Sequence, residues 1–382
     1  MTSASRPALS AALDGCTIVI AVDRRSLELA AALERHGAVV RQAPALTIVP
    51  HIDDDTLIAS TRELIARPPE IVVVTTGVGF RGWMEAADEA GLLDDLQAAI
   101  ADAQIVARGP KARGAIQQAG LTADWVAESE TSAELGEYLL AEGVAGRRIA
   151  VQHHGSGADG LDELFEDAGA DVLSLTVYRW GPPPDAATVC RSVASTAQGE
   201  VDAVLFTSAP GAAEWLAAAA REGVLDDIVD LADAGRVLMA AVGPITAGPL
   251  VDVGIAPLVA ERGRLGSLVR AVVTHFGGGH AASLQTTAGR LELRSTGAVL
   301  DGAHVPLSRT GTDILAALFE AGGGVVSRQR LQNALPRSGA NTHAVEMAVA
   351  RVREALGVPD LIKTVVKRGY RLNVLDPAEA SA

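Results

Sequence analysis

The stretch TTGVGFRGWMEAA at residues 75–87 recurs as TSAPGAAEWLAAA at residues 207–219. The two copies align without a gap on a threonine, a glycine and a tryptophan. Each copy follows an apolar run, passes through Gly or Pro and continues with helical spacing. Each copy therefore predicts a strand, a turn and a helix, and the chain contains an internal repeat.

Two further blocks extend this repeat. Residues 18–40 and 149–172 both contain an apolar run, a helical stretch, a glycine and a second apolar run. GPKARGAIQQAG from Gly109 matches GPITAGPLVDVG from Gly243, so the three blocks recur at offsets of 131, 132 and 134 residues. Strands that alternate with helices predict parallel sheets with helices on both faces, which is an α/β fold.

The turns that follow the predicted strands are the candidate ligand sites. Ligands of such sheets bind beyond the carboxyl ends of the strands, and free N–H groups at helix starts favour anions. The same residues could instead serve only as helix caps and tight turns. Because adjacent strand residues point to opposite faces, His153 and His154 are not expected to share a metal ion. The candidate residues in these turns are Thr75, Thr76, Gly109, His153, His154, Ser156, Thr207, Ser208 and Gly243.

Three segments carry a resemblance to uroporphyrinogen-III synthases over residues 16–277: LTVYRW (175–180), LFTSAPGAAEWL (205–216) and AVGPITAGPLVDVGIAP (241–257). The resemblance implies two flavodoxin-like lobes that are joined by a two-stranded hinge. Lobe one would comprise residues 16–42 and 182–277, and lobe two residues 43–178. These enzymes close a linear tetrapyrrole and invert its last ring without a metal or cofactor, so neither is expected.

The resemblance also implies roles for individual residues. Tyr178 falls on a tyrosine that is implicated in that reaction, although it could equally pack in the hinge. Ser208 and Thr246 fall on hydroxyl positions near the cleft. Other hydroxyl positions are changed, and these losses weaken the interpretation as an enzyme. The changed positions are Pro210, Thr76-Gly77 and Ala112.

The C-terminal quarter has a different pattern. Residues 278–287 are rich in Gly, Ala, Ser and Thr and predict a linker, and residues 1–15 predict a disordered lead. Short strands are expected at residues 291–294, 298–300 and 304–307, followed by two helices that Ser308 and Ser327 cap. A third helix at residues 341–356 and a hairpin at 361–374 complete this region, and residues 376–382 form a tail.

The charge is unevenly distributed along the chain. The net charge is −15, from 32 basic and 47 acidic residues. Residues 283–375 contain 12 basic and 7 acidic residues, which gives +5, and the tail gives −2, so residues 1–282 carry −18. A basic module attached to an acidic one is typical of a nucleic-acid-binding appendage.

The motifs LSRTGTDILAAL, GGVVSRQRL, AVEMAVARVREAL and IKTVVKRGYRL resemble the OmpR/PhoB-type winged-helix DNA-binding domain over residues 288–375. The resemblance implies that the helix at 341–356 enters the major groove and that the wing at 366–369 meets the minor groove. Val366 stands where many members have an arginine. The expected base and phosphate contacts are Arg328, Thr342, His343, Met347, Ala350, Arg351, Arg353, Lys367 and Arg368. Arg353 could instead be an internal salt-bridge partner.

These features predict a cytoplasmic transcription regulator that binds promoter DNA, as a dimer and in contact with RNA polymerase. Its lobes would sense a small-molecule or anionic effector, such as a tetrapyrrole. Fusions of these modules resemble actinobacterial regulators associated with nitrate and nitrite assimilation. One alternative is an active uroporphyrinogen-III synthase with a DNA-binding tail, and another is a regulator whose lobes only bind partners. No apolar run is long enough for a membrane helix.

Overall fold

A computed structural model describes residues 10–23, 25–50, 55–153, 159–335 and 342–375. The chain forms two compact units, one of Met1–Leu46 with Pro183–Ala382 and one of Thr47–Pro182. We call the second unit lobe two. Within the first unit, we call residues 10–46 and 183–277 lobe one and residues 283–375 the C-terminal domain.

The secondary structure alternates strands and helices up to residue 277 and then changes character. The strands are β1 (Thr17–Ile20), β2 (Val39–Gln42), β3 (Thr47–Pro50), β4 (Ile71–Val74), β5 (Gln104–Ala107), β6 (Trp125–Val126), β7 (Arg148–His153), β8 (Asp171–Thr176), β9 (Tyr178–Gly181), β10 (Ala203–Phe206), β11 (Leu238–Ala241), β12 (Leu258–Val259), β13 (Ser283–Thr286), β14 (Gly289–Arg294), β15 (Gly297–Leu300), β16 (Ala303–Pro306), β17 (Ile362–Val365) and β18 (Gly369–Leu372). The helices are α1 (Ser26–Glu34), α2 (Asp55–Ala66), α3 (Gly77–Glu89), α4 (Leu93–Ile100), α5 (Pro110–Gln118), α6 (Ser132–Glu142), α7 (Leu161–Asp167), α8 (Ala186–Ala197), α9 (Ala209–Arg221), α10 (Leu225–Asp233), α11 (Pro244–Asp252), α12 (Leu265–Gly277), α13 (Arg309–Glu320), α14 (Arg328–Asn333) and α15 (Thr342–Leu356).

Each lobe contains a five-stranded parallel sheet, and the two sheets have the same order. Lobe one has the order β2-β1-β10-β11-β12, and lobe two has β8-β7-β4-β5-β6. The repeated blocks supply equivalent strands, since β1 corresponds to β7, β10 to β4 and β11 to β5. The predicted α/β fold of two flavodoxin-like lobes is therefore confirmed.

The two repeated tryptophans pack in equivalent ways. Both side chains are fully buried. The Trp83 indole N–H donates to the Thr61 hydroxyl at 3.0 Å, and that of Trp215 donates to the Ser192 hydroxyl at 2.9 Å. A buried indole N–H needs such a partner, which explains why both copies place a hydroxyl on the neighbouring helix.

Lobe two begins and ends in a two-stranded antiparallel sheet of β3 and β9. The Thr47 hydroxyl donates to the Pro182 carbonyl at 3.1 Å. The resemblance predicts such a pair where the chain passes from one lobe to the other. Lobe two begins at Thr47 rather than at residue 43, because β3 pairs with β9 and not with the strands of lobe one.

The C-terminal domain combines the antiparallel sheet β13-β14-β15-β16 with three helices and the hairpin β17–β18. The caps predicted for the first two helices are confirmed, since Ser308 accepts from the Gly311 N–H and Ser327 from the Arg330 N–H, both at 3.2 Å. The hairpin is tied to the helices by a bridge between Val326 and Tyr370. This is the winged-helix arrangement that the motifs predict.

The linker expected at residues 278–287 is shorter in the structure. Helix α12 continues to Gly277, and β13 pairs with β14, so only residues 278–282 connect the two parts. The small polar residues of β13 resemble a linker in composition. They form a strand because the Thr286 hydroxyl donates to the Gly289 carbonyl at 2.6 Å and Gly289 adopts a φ of 103°.

The N-terminal lead is also partly structured. Residues 1–9 and the tail at 376–382 lie outside the described residues. Leu13, however, is fully buried, and its N–H donates to the His36 carbonyl at 2.9 Å. Residues 10–15 thus differ from the expected disorder, because Leu13 fills part of the core of lobe one. In the part of the chain that the structure describes, no helix could cross a membrane.

Candidate ligand-binding and DNA-binding surfaces

In lobe one, the candidate ligand residues lie where β10 and β11 end and helices begin. Ser208 caps α9, and its hydroxyl accepts from the Gly211 N–H at 3.3 Å. Gly243 precedes α11, and Thr246 is buried one turn into that helix. Thr207 and Ser208 are both half-buried. The first turns of two helices therefore point N–H groups at one sheet edge, which suits an anionic group.

The equivalent edge of lobe two is more closed. Thr76 caps α3 and accepts from the Gly79 N–H at 3.0 Å. Thr75 is buried and donates its hydroxyl to the Gln152 carbonyl at 2.8 Å. A Cβ on Gly79 would lie 2.2 Å from Gln152 Nε2, so the repeated glycine lets α3 approach β7. Gly109 immediately precedes α5 at the same edge. The Thr75 hydroxyl thus stabilises the contact with β7.

His153, at the end of β7, is held between two carboxylates that the sequence analysis missed. Its Nε2 lies 2.8 Å from Asp162 Oδ1, and its Nδ1 lies 3.2 Å from Asp159 Oδ1. Burial acts to lower the pKa of His153, but the hydrogen bonds to Asp159 and Asp162 outweigh it and raise this pKa to about 9. The imidazolium therefore faces acidic partners and is not aimed at an anionic ligand.

Three of the predicted ligand residues fall wholly or in their side chains outside the part of the chain that the structure describes. His154 and Ser156 lie outside the described residues. Tyr178 lies on β9, where its backbone pairs with Pro50, and its side chain also lies outside the described part. The roles that the sequence assigns to these residues stay predictions.

Helix α15 presents a continuous exposed face. His343, Met347, Ala350 and Arg351 are exposed on it, whereas the opposite face is buried and carries Val345, Ala348, Val349, Val352 and Leu356. Met347 is 42% exposed, so its side chain is accessible on this face. Thr342 begins the helix, and its side chain lies outside the described residues. This face has the position of a recognition helix.

The turn of the β17–β18 hairpin carries the second group of predicted DNA contacts. Val366, Lys367 and Arg368 are exposed, and Lys367 adopts a left-handed φ of 62° that turns the chain back. Arg328 lies 3.5 Å from Glu346 of α15, and its guanidinium lies 5.4 Å from the centre of the Tyr370 ring. Arg328 thus connects α14 with both the helix face and the hairpin.

Arg353 has partners inside the domain, as the alternative to a phosphate contact predicts, but they are a carbonyl and a hydroxyl and not a carboxylate. Its Nε donates to the Ile362 carbonyl at 2.9 Å, and its Nη2 donates to the Thr364 hydroxyl at 2.9 Å. The guanidinium also lies 5.7 Å from the centre of the Tyr370 ring. Its hydrogen bonds hold strand β17 against α15, so we infer that Arg353 positions the wing.

We therefore expect Arg353→Ala to destabilise the full chain by about 2 kcal/mol, because the Ile362 carbonyl loses a charged donor. Arg351→Ala is the matched control, since Arg351 lies on the exposed face of the same helix. Chemical denaturation of both variants measures the difference. Equal stability of the two variants would show that Arg353 is not part of the domain's framework.

Comparisons with known proteins agree with this division of the chain. The family model described as uroporphyrinogen-III synthase HemD matches residues 28–270, and the model described as transcriptional regulatory protein, C terminal, matches residues 302–372. "Uncharacterized protein YjjA" of Bacillus subtilis is 28% identical over 263 residues, which cover 69% of this chain and 96% of that protein. A crystal structure of a mutant uroporphyrinogen III synthase from Thermus thermophilus is 30% identical, with a TM-score of 0.54, and covers 67% of this chain and 98% of that one.

Proposed function

The chain belongs to the uroporphyrinogen-III synthase family and ends in a transcriptional regulatory domain, and from this premise we propose that its lobes sense a ligand which controls DNA binding. The protein is a transcription regulator that binds double-stranded DNA. The observation that carries the proposal is the exposed face of α15 beside a basic hairpin turn, in the one part of the chain with net positive charge.

The acidic lobes restrict where DNA can bind. Residues 1–282 carry −18 and residues 283–375 carry +5. Like charges repel over about 10 Å at 0.1 M salt, so the lobes disfavour contact with phosphates. The C-terminal domain is therefore the part that would contact DNA. A dimer on DNA would present two such domains to the two halves of a promoter site.

The sheet edges support a sensing role more than a synthase role. The hydroxyls of Thr76 and Ser208 cap their own helices, and the Thr75 hydroxyl is bonded to the neighbouring strand. Ala112 is buried on α5 and offers no hydroxyl. An edge that retains helix N–H groups but has fewer free hydroxyls can still bind an anionic group, which the proposed effector would supply.

Control of nitrate and nitrite assimilation genes is the biological role that we propose. Its support is the resemblance of such fusions to actinobacterial regulators of these pathways. In this role the two lobes would bind a small-molecule or anionic effector. Contact with RNA polymerase through the C-terminal domain would complete the control of transcription.

Genome-wide mapping of bound DNA, in cells grown with nitrate, with nitrite or with ammonium, tests this proposal. We expect sites upstream of nitrate and nitrite assimilation genes, with occupancy that changes with the nitrogen source. Sites at unrelated genes would contradict the proposed role. Occupancy that is the same in all three media would contradict ligand sensing and favour lobes that bind only protein partners.

A further inference from the structure

Lobe one and the C-terminal domain meet at a buried carboxylate, Asp202, which immediately precedes β10. Asp202 is 5% exposed. One of its oxygens accepts from the Thr17 N–H at 2.7 Å, and the other accepts from the Ser295 N–H at 2.8 Å. Thr17 begins β1 of lobe one, whereas Ser295 lies in the turn between β14 and β15. One carboxylate therefore binds the backbone of both parts.

The β14–β15 turn makes further hydrogen bonds to lobe one. The Ser295 and Thr17 hydroxyls lie 2.9 Å apart, and the Thr17 N–H also reaches the Ser295 hydroxyl at 3.1 Å. The Thr296 hydroxyl donates to the Gly15 carbonyl at 2.9 Å. These bonds satisfy polar groups at the buried start of β1, and removal of a partner would leave such groups unpaired at a cost in stability.

Helix α13, the first helix of the DNA-binding domain, is fixed to lobe one at both ends. At its start, Arg309 pairs with Glu200 at 2.8 Å and donates to the Gln198 carbonyl at 2.8 Å. At its end, Glu320 lies 3.2 Å from Arg236 of lobe one. Since α13 packs against α15 in one apolar core, contacts at its two ends restrain the recognition helix as well.

The short connection at residues 278–282 is also held in place. Arg290 donates to the Gly279 carbonyl, and Ala281 is buried in the core of lobe one. Beside it, the buried guanidinium of Arg294 lies 4.9 Å from the centre of the Phe276 ring of α12. These residues of the expected linker thus form a fixed segment.

None of these contacts uses the exposed faces described for α15 and the hairpin turn. The junction and the DNA-binding surface therefore do not compete for the same residues. Thr17 and Asp202 stand at the amino ends of β1 and β10, which are neighbours in the sheet of lobe one. The carboxyl end of β10 leads to Ser208, at the candidate ligand edge.

We propose that Asp202 and the β14–β15 turn form a latch that fixes the DNA-binding domain to lobe one, so that the two move as one rigid body. The latch makes β1 and β10 the route by which a change at the ligand edge of lobe one reaches α15. The route through β1 and β10 rests on the proposed sensing function, whereas the latch itself does not.

Limited digestion of the full chain with elastase tests the latch, because this protease cleaves after small residues such as Ala281 and Ala282. We expect the wild-type chain to resist cleavage there, and Asp202→Ala to release a C-terminal fragment about tenfold faster, which corresponds to about 1.4 kcal/mol of opening. Asp230→Ala, an exposed change on α10, is the matched control. Equal rates for both variants and the wild type would overturn the latch.

A second variant covers the case in which Asp202→Ala unfolds lobe one itself. Ser295→Ala with Arg309→Ala removes contacts from the side of the C-terminal domain, and circular dichroism checks that the fold is kept. We expect faster cleavage here too, together with loss of the occupancy change between nitrogen sources. If the variant is cleaved faster but its DNA occupancy still changes with the nitrogen source, β1 and β10 are not the route. If the occupancy of the wild-type chain does not change with the nitrogen source, the sensing function is refuted, and the latch is then judged from the digestion rates alone.

Discussion

Replacement of both Arg351 and Arg368 by alanine weakens binding of the full chain to promoter DNA by about tenfold to a hundredfold at 0.1 M salt. Both side chains are exposed, one on the recognition helix and one in the wing. Each can therefore neutralise a phosphate and release counterions. Because neither is buried, the unfolding transition of the double variant should match that of the wild type.

The measurement is a binding titration at several salt concentrations. The slope of log K against log salt should become less steep by about two, one for each lost phosphate contact. Arg221→Ala, an exposed change on α9 of lobe one, is the control and should leave the slope unchanged. A double variant with the wild-type slope would remove these two arginines from the DNA interface.

The repeat made most of the fold predictable. Each copy carries its own signals, with an apolar strand, a glycine or proline turn and a tryptophan on a helix, so local sequence was enough to place equivalent strands in both sheets. The missed strand β13 has no such signal. Its residues pair because β14 lies beside them, and composition alone cannot reveal that partner.

The sequence could not distinguish the roles of the two arginines of α15. Arg351 and Arg353 have the same chemistry and lie two residues apart, so they point to different faces of the helix. Only the positions of the Ile362 carbonyl and the Thr364 hydroxyl, which come from a later strand, distinguish a free arginine from one that holds the wing. Asp202 was missed for the same reason, since its partners Thr17 and Ser295 are distant in sequence.

For the helix caps, the sequence predicted two possible roles for the same residues. Thr76 and Ser208 were expected either to bind a ligand or to cap a helix, and the structure gives both a capping bond. The residues that the repeat keeps in both lobes therefore serve the fold first. The pair of carboxylates around His153, by contrast, is not among the residues that the repeat keeps in both lobes.

That pair makes the stability of lobe two depend on pH. The pKa of His153 is raised from 6.5 to about 9 in the folded chain. A raised pKa means that the folded state holds the proton more tightly than the unfolded state. The resulting stabilisation is fully present below pH 6.5 and is lost as the pH rises through about 9. A difference of this size corresponds to about 3 kcal/mol.

We therefore expect the free energy of unfolding of lobe two to fall by about 3 kcal/mol between pH 6.5 and pH 10 in the wild type. His153→Gln cannot titrate, so the difference between the two proteins isolates this group from every other one. Denaturation followed by tryptophan fluorescence reports mainly on lobe two, which contains Trp83, Trp125 and Trp180, whereas lobe one contains Trp215. A variant that loses stability over this pH range as steeply as the wild type would show that the Asp159 and Asp162 carboxylates do not hold a protonated His153.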